Sequence, residues 1–232
     1  MFTRVFHWPN RSRSHTLPHA MMFAVSICIA YLAGSIPSAV WTGRLAKGVD
    51  VRQHGSGNMG AANVARVLGF QWAIVVGLVD VLKGFAPVFW LGPVAANDVA
   101  LTISATSLIL GATAIVGHLF PIFARFKGGK GVLTAAGVFL ALLPLEVGLA
   151  LIVWLVVFLT TRIVSLGSIL AALTVTIAVI IRRFVLDVPI GDSLVAATFL
   201  LFVLVMFTHR SNVKRLLRGE EPRFRDRGTR SE

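Results

Sequence analysis

Long apolar segments alternate with short polar ones along most of this chain. The apolar segments cover residues 21–42, 70–91, 99–120, 132–143, 145–159, 163–181 and 194–207. Most of them can cross the roughly 30 Å hydrocarbon core of a bilayer as an α-helix. Only Pro144 and Glu146 separate the fourth from the fifth, within an apolar stretch of about thirty residues that is too long for one ordinary span. The pattern predicts an all-α, polytopic transmembrane helix bundle of about seven spans.

The polar segments are basic and predict an orientation for this bundle. In a seven-span arrangement, the loops at 44–69, 121–131 and 160–166 share one side with the segment that begins at His209. Lys and Arg are dense there, which favours a cytoplasmic location for this side and for the C-terminus, and places the N-terminus outside. The arginines of residues 1–20, and Arg182 and Arg183 near the opposite surface, contradict this rule.

The two ends of the chain differ from its apolar middle. Residues 1–20 carry arginines and prolines without apolar periodicity and are predicted to be a disordered basic leader. Basic residues before an apolar segment are also typical of a signal peptide, but residues 21–42 are long enough to span and lack a convincing cleavage site. Residues 21–218 are then the membrane-embedded domain. Residues 219–232 are a charged tail, predicted to be disordered or to lie on an anionic leaflet.

Composition supports a membrane protein and restricts its partners. The chain of 232 residues is 56% hydrophobic and 14% charged, whereas about 25% charged is usual for soluble domains. Its net charge of +12 is compatible with anionic lipids or anionic substrates, and much of it reflects the ordinary cytoplasmic bias. A single Tyr and no basic soluble module argue against nucleic acid. The only cysteine, Cys28, lies in an apolar segment, so neither a disulfide within the chain nor a cysteine metal site is expected, and no cofactor is predicted.

One polar stretch has the composition of a phosphate-binding loop. Residues 127–131 contain three glycines and two lysines between two apolar segments. Glycines free the backbone to turn with its N–H groups exposed, and the lysines supply positive charge at the same place. The stretch therefore favours a phosphate at the membrane surface. The alternative is an ordinary turn with flanking lysines at a cytoplasmic boundary.

The loop at 44–69 is also rich in glycine and polar side chains. Residues 55–60 spell G-x-G-x-x-G, but no strand precedes them and no βαβ unit fits, so a dinucleotide site is not expected. What remains is a polar loop with exposed N–H donors.

Three further polar positions lie within or beside apolar segments. Asp80 and Lys83 share a helical face, and a structural ion pair is favoured over a catalytic one. Hydroxyls in residues 161–168 either cap the next helix or contact a ligand. If the last span continues helically, His209 and Asn212 share a face that looks into the bundle, while Arg210 faces lipid headgroups.

Three of these stretches together resemble the bacterial membrane acyl-phosphate:glycerol-3-phosphate acyltransferases of the PlsY type. The matching stretches are residues 34–37 with 48–66, residues 117–134 and residues 209–221. Asp80, Lys83, Gly84, Pro87 and residues 162–168 also look like this family. Leu133 and Ser211 depart from its usual residues, which concerns packing or fine specificity.

The resemblance implies transfer of a fatty acyl group from acyl phosphate to the 1-position of glycerol 3-phosphate, giving lysophosphatidic acid and phosphate for phospholipid synthesis. It implies a location in the bacterial inner membrane with the site at the cytoplasmic face, contact with membrane lipids, and the upstream acyl-phosphate-forming enzyme as a candidate partner. His209, Asn212 and Lys130 are implied as catalytic residues. Substrate binding is assigned to Ser35, Arg52, Gly55, Ser56, Gly57, Asn58, Lys127, Gly128, Gly129, Gly131, Ser165 and Ser168.

Missing motifs narrow the mechanism further. None of the six histidines is followed five residues later by Asp, so the His-x-x-x-x-Asp machinery of other glycerolipid acyltransferases is absent. No Gly-x-Ser-x-Gly motif provides a covalent nucleophile, which favours direct attack by the glycerol hydroxyl. Two other classes of membrane protein are alternatives to an enzyme: a transporter or channel for an anionic phosphorylated solute, and a membrane scaffold. The polar motifs cluster on one predicted face and the two halves show no inverted repeat, which disfavours a transporter, and a scaffold leaves the glycine-rich loops without purpose.

Overall fold

The computed structural model describes residues 21–224, and every regular element in that range is helical. The predicted leader and residues 225–232 of the predicted tail lie outside the described residues. The helices are α1 (Met21–Gly34), α2 (Ser38–Lys47), α3 (Ala61–Val67), α4 (Phe70–Ala86), α5 (Gly92–Ala96), α6 (Ile103–Leu119), α7 (Val132–Leu142), α8 (Pro144–Thr161), α9 (Val164–Phe184), α10 (Asp192–Thr208) and α11 (Arg210–Leu217). Short 3₁₀ turns cover Val51–Gln53 and Ile122–Ala124, and a π-helical turn, Pro87–Leu91, joins α4 to α5.

The apolar segments predicted from the sequence are all helical, and the all-α membrane bundle is confirmed. Four helical stretches are long and apolar enough to cross a membrane, and two bent pairs, α1 with α2 and α10 with α11, raise this number to six within the described residues. The remaining apolar helix, α7, has 11 residues and is about 16 Å long, which is too short to span alone. The total of seven spans therefore stays a prediction.

Proline and glycine set the main break and the closest packing of the bundle. α7 ends at Leu142 and α8 begins at Pro144, as the sequence predicts for the division of this long apolar stretch. α4 and α7 pack so closely that a Cβ on Gly84 would lie 2.0 Å from the carbonyl oxygen of Thr134. Small residues at such positions let helix backbones approach each other in a membrane.

Opposite ends of the bundle differ in their polar contacts. At the end away from the loops, Glu146 is fully buried and accepts a hydrogen bond from Arg182. Arg182, one of the arginines that contradict the predicted orientation, thus has a carboxylate partner there. Asp98 accepts a hydrogen bond from the Met22 backbone N–H at 2.8 Å, which ties the start of α1 to the turn before α6.

The other end carries the glycine-rich loops, the turn between α8 and α9, and the chain after α10. α10 and α11 meet at His209 with a bend of 67°. Residues 219–224, which we call the C-terminal strap, run back across this end. Phe224 donates its N–H to the Arg162 carbonyl at 2.7 Å, and its ring contacts that of Phe158 with centroids 5.9 Å apart. The part of the predicted tail up to residue 224 is therefore packed against the bundle.

Candidate active site

A tight turn shapes the basic loop between α6 and α7. Arg125 and Phe126 adopt left-handed conformations with φ of 57° and 59°, and the Phe126 N–H donates to the Pro121 carbonyl at 2.9 Å. The chain then returns along the end of α6. There a Cβ on Gly128 would lie 2.1 Å from the His118 carbonyl oxygen, so glycine is required for this approach.

Lys130 lies at the centre of a hydrogen-bonded group drawn from distant parts of the chain. Its ammonium donates to Asn212 Oδ1 at 2.5 Å. Asn212 Nδ2 and Ser165 Oγ each donate to Glu221 Oε1 at 2.6 Å. Arg215 Nε donates to Glu221 Oε2 at 2.7 Å. We call these five residues the Lys130 cluster, and it joins α9, α11, the strap and the basic loop.

The charges of this cluster are tuned by burial and hydrogen bonding. Burial lowers the pKa of the Lys130 ammonium to about 8, and the charge of Glu221 opposes this shift. Burial alone would raise the pKa of Glu221, but the hydrogen bonds from Ser165, Asn212 and Arg215 outweigh it and lower that pKa. The carboxylate therefore stays ionised and holds Asn212 with its amide oxygen turned towards Lys130.

His209 lies at the junction of α10 and α11 and is buried. Its Nδ1 is 2.9 Å from the Val205 carbonyl oxygen. A carbonyl only accepts, so Nδ1 carries the proton and a neutral ring keeps its lone pair on Nε2. Asn212, three residues later, is also buried, whereas Arg210 is exposed with its guanidinium 4.8 Å from the centre of the Phe207 ring. His209 and Asn212 are therefore buried and Arg210 is exposed, as predicted, although the chain bends at His209 instead of continuing as one helix.

A cavity of about 410 Å³ lies between the glycine-rich loop before α3 and the basic loop between α6 and α7, and we call it the Arg52 cavity. Arg52 is fixed there by hydrogen bonds to Asp50, the shortest 2.6 Å, and by one to the Ala124 carbonyl at 3.2 Å. The hydrogen bond from Arg52 holds the pKa of Asp50 at about 2. Gly128, which lines the cavity, lies two residues before Lys130 in the chain. The lining residues are Asp50, Arg52, Gln53, Gly57, Met59, Arg125, Lys127 and Gly128.

Asn63 organises the glycine-rich loop before α3. Its Oδ1 accepts the Ser56 N–H at 2.8 Å, and its Nδ2 donates to the carbonyls of Val51 and His54 at 2.9 and 3.1 Å. Gly55, with φ of 63°, packs on the same side chain. The Ser56 N–H is thus already paired within the protein, while Gly57 reaches the Arg52 cavity.

The predicted site residues fall into four groups. Lys130, Asn212 and Ser165 belong to the Lys130 cluster, and Arg52, Gly57, Lys127 and Gly128 line the cavity. Others lie apart: Ser35 is fully buried with no hydrogen-bond partner for its hydroxyl among the described residues, and Ser168 donates to the Val164 carbonyl of its own helix at 3.0 Å. The remaining predicted residues flank these groups: Gly55, Ser56, Asn58, Gly129, Gly131 and His209.

Seven residues of these regions were not predicted as site residues: Asp50, Gln53, Met59, Asn63, Arg125, Arg215 and Glu221. Glu221 had a signal in the sequence, because it is an acidic residue beside a proline in a strongly basic tail. Asp50 and Asn63 lie within a matched stretch but act on neighbouring groups. Their roles depend on loop conformation, which composition and spacing do not give.

Fold and site together define an integral membrane protein with a cationic, glycine-lined site at one end of its bundle. Within residues 21–224, no three His, Cys, Asp or Glu side chains come together as a group that could hold a metal ion.

Comparison with known proteins places this membrane protein in a family. The family model described as glycerol-3-phosphate acyltransferase matches residues 24–219. A glycerol-3-phosphate acyltransferase of Chlorobaculum tepidum is 40% identical over 231 residues, covering 88% of this chain and 97% of that protein. One from Salinibacter ruber is 41% identical over 209 residues, covering 85% and 90%.

Solved structures agree with these relatives. The crystal structure of PlsY, an integral membrane glycerol 3-phosphate acyltransferase, in its glycerol 3-phosphate form superposes with a TM-score of 0.73 at 36% identity, covering 88% of this chain and 96% of that one. Its lysophosphatidic acid form gives a TM-score of 0.74. The chain belongs to the glycerol-3-phosphate acyltransferase family, which favours an enzyme over the transporter considered from the sequence.

Proposed function

We propose that this protein transfers a fatty acyl group from acyl phosphate to the 1-position hydroxyl of glycerol 3-phosphate. The hydroxyl oxygen attacks the acyl carbonyl carbon, and the bond from that carbon to the phosphate oxygen breaks. Inorganic phosphate leaves with the bonding electron pair, and lysophosphatidic acid is the second product. The hydroxyl proton passes to His209 or to the departing phosphate, so no external acid or base is consumed.

One observation carries this proposal: the basic loop between α6 and α7 contributes to two cationic regions, since Lys127 and Gly128 line the Arg52 cavity and Lys130 belongs to the Lys130 cluster. A reaction between two phosphorylated substrates needs two places where phosphate charge is neutralised. Lys130 and Arg215 are the cations of one region, and Arg52, Arg125 and Lys127 are the cations of the other. We assign acyl phosphate to the Lys130 cluster and glycerol 3-phosphate to the Arg52 cavity, which is open and large enough for a small polar molecule.

The residues of the cluster have distinct roles in this reaction. Lys130, between Gly129 and Gly131, neutralises the charge that develops on the leaving phosphate. Asn212 orients the Lys130 ammonium, and Glu221 in turn orients Asn212. His209, with its lone pair on Nε2, accepts the hydrogen bond of the attacking hydroxyl. Cys28 is exposed on α1 within an apolar segment, so direct transfer without an acyl-enzyme is the simpler route.

The same assignment places the reaction at the cytoplasmic face of the bacterial inner membrane, as a step of phospholipid synthesis. The basic loops at the end of the bundle that carries the site support this orientation. The acyl chain would lie among the membrane lipids beside the exposed apolar helix faces. The enzyme that forms acyl phosphate is the corresponding candidate partner.

The donor is the point that an experiment must decide. Purified protein in detergent is given glycerol 3-phosphate with either a long-chain acyl phosphate or the matching acyl-CoA. Release of phosphate and formation of lysophosphatidic acid in equal amounts is expected with acyl phosphate, and at most traces of product with acyl-CoA. Comparable turnover with acyl-CoA would contradict the proposed donor.

A further inference from the structure

A second group of polar side chains lies buried among the helices, outside the Lys130 cluster and the Arg52 cavity. Charged and polar groups are costly at such positions unless they are paired. All five members are buried, with exposures from 0 to 6%. We call them the Asp80 network, and they are Ser38 on α2, Asp80 and Lys83 on α4, His118 on α6 and Thr134 on α7.

On one side, the network holds the turn between α1 and α2. Lys83 Nζ donates to Asp80 Oδ1 at 2.8 Å and to the Ile36 carbonyl oxygen at 2.9 Å. Ser38 Oγ donates to the same Asp80 oxygen at 2.6 Å. Ile36 directly follows Ser35, so the ion pair is bonded to the backbone before Pro37 and to the Ser38 side chain after it.

On the other side, the network reaches the loop that carries Lys130. His118 Nδ1 lies 3.1 Å from Thr134 Oγ1 and 3.8 Å from Asp80 Oδ1. The His118 carbonyl accepts the Gly129 N–H at 3.3 Å. A Cβ on Gly129 would lie 2.4 Å from His118 Nε2, so the imidazole is packed directly against the backbone beside Lys130.

We propose that Lys83 and His118 are positioning residues for the reaction. Through them, the Asp80 network sets the turn at Ser35 and the loop at 128–130 at a fixed distance and angle from each other. Replacing a buried ion pair by apolar groups of similar size often leaves stability unchanged or raises it. We therefore assign the ion pair of Asp80 and Lys83 a role in fixing the positions of the turn at Ser35 and the loop at 128–130, rather than a role in stability. This inference rests on the proposed function in one respect, because its test measures turnover in the proposed reaction.

The first test separates positioning from stability. The double substitution Asp80→Asn with Lys83→Met removes both charges at nearly constant volume. Its thermal unfolding in detergent is expected within a few degrees of the natural protein. Its kcat should fall about 10- to 100-fold, the scale of a misplacement near 1 Å, while KM for glycerol 3-phosphate changes less than about threefold. Thr113→Val is the control: Thr113 is half-buried on α6 and its hydroxyl donates within its own helix, to the Ile109 carbonyl, so the variant should keep normal kcat.

The second test measures the contact itself in a double-mutant cycle. Gly129→Ala forces a methyl group against the His118 ring, and His118→Ala removes that ring. If the ring transmits the position of the loop, the combined variant should lose less activity than the product of the two separate losses. Purely multiplicative losses would overturn the role of His118.

The role of Lys83, the role of His118 and the proposed donor are tested by separate measurements. A folded Asp80→Asn, Lys83→Met variant with normal kcat would overturn the role of Lys83, and if that variant does not fold, the cycle at His118 and Gly129 decides. Turnover of the unsubstituted protein is measured first with both donors. If the unsubstituted protein shows no turnover with acyl phosphate, the proposed donor is rejected. The positioning role is tested separately, from the kcat of each variant divided by the kcat of the unsubstituted protein, measured with whichever donor is turned over.

Discussion

Lys130 carries its charge where much of the surrounding water is excluded. Because burial lowers its pKa to about 8, the free protein holds a growing neutral fraction as pH rises through that value. The charged form predominates below it. An ammonium that must neutralise phosphate is therefore lost in the weakly alkaline range, well below the usual range for lysine near 10.4.

We expect kcat/KM for acyl phosphate to decline above pH about 8, since this ratio reports the ionisation of the free enzyme. A guanidinium stays charged throughout this range, so Lys130→Arg should move the decline to higher pH even where its maximal rate is lower. The measurement is a pH profile from 6 to 10, corrected for spontaneous hydrolysis. Lys214→Arg, at an exposed position on α11, serves as the control, and an unshifted decline in Lys130→Arg would contradict the assignment.

Neighbouring residues at the start of α11 should respond very differently to truncation. His209 is buried with its Nδ1 bonded, whereas Arg210 is exposed. His209→Ala should lower kcat by about two orders of magnitude, the scale of general acid–base assistance, while Arg210→Ala keeps most of the activity. Steady-state kinetics on both purified variants checks this expectation. Equal losses would refute the distinct roles of the two faces.

At this scale the sequence predicted residues better than it predicted their contacts. Lys130 and Asn212 are 82 positions apart, yet both were chosen because their motifs match a known family. Glu221 was missed, since a carboxylate in a basic tail has no periodicity that predicts where it docks. Ser56 was chosen for a free loop amide, but Asn63 already pairs with that amide.

The packing of α4 on α7 gives an expectation for stability rather than activity. At Gly84 a new methyl group would meet the Thr134 backbone at 2.0 Å, whereas at Gly148, on α8, no atom lies within 4 Å of the added carbon. Gly84→Ala should lower Tm by about 5 °C or more, the scale of overpacking in a domain of this size. Gly148→Ala should leave Tm unchanged or slightly higher, because alanine favours a helix. Thermal unfolding of both variants in detergent compares them, and equal Tm values would show that α4 can move away from α7.

Element boundaries could be predicted where proline or charge interrupts an apolar run, as at Pro144. Other features have no such signal. The bend at His209 was not predicted, because nothing in the local sequence forbids a continuous helix there. The π-helical turn at Pro87 was also missed, since a proline inside an apolar helix is compatible with several kinks.

Across the whole molecule, the two ends of the bundle should be distinguishable in intact cells. His54, Arg125 and Arg218 are exposed at the end that carries the site, and Asp187 is exposed at the other. In a Cys28→Ala background, single cysteines at the first three positions should be protected from an impermeant thiol reagent added outside, and one at Asp187 should be labelled. Labelling of the first three from outside would reverse the proposed orientation.

Overall architecture was the part most fully predicted from the sequence. Apolar segment lengths and basic loops predicted a helical membrane bundle with its polar motifs gathered at one end, and the helices follow that arrangement. The number of spans could not be predicted from segment length alone. α7 has only 11 residues, and how deeply it lies in the membrane depends on the helices packed around it. Arg182 contradicts the expected excess of basic residues on the cytoplasmic side. It donates a hydrogen bond to Glu146, which is 36 positions away in the chain.

The C-terminal strap separates the stability of the site from the stability of the bundle. Glu221, which lies in the strap, accepts hydrogen bonds from Ser165 and Asn212, and no membrane helix supplies that carboxylate. Segments of a folded protein open locally at a lower free energy than global unfolding requires. Each opening of the strap therefore takes the carboxylate away from Asn212 while the membrane helices stay folded, and each closing rebuilds the site.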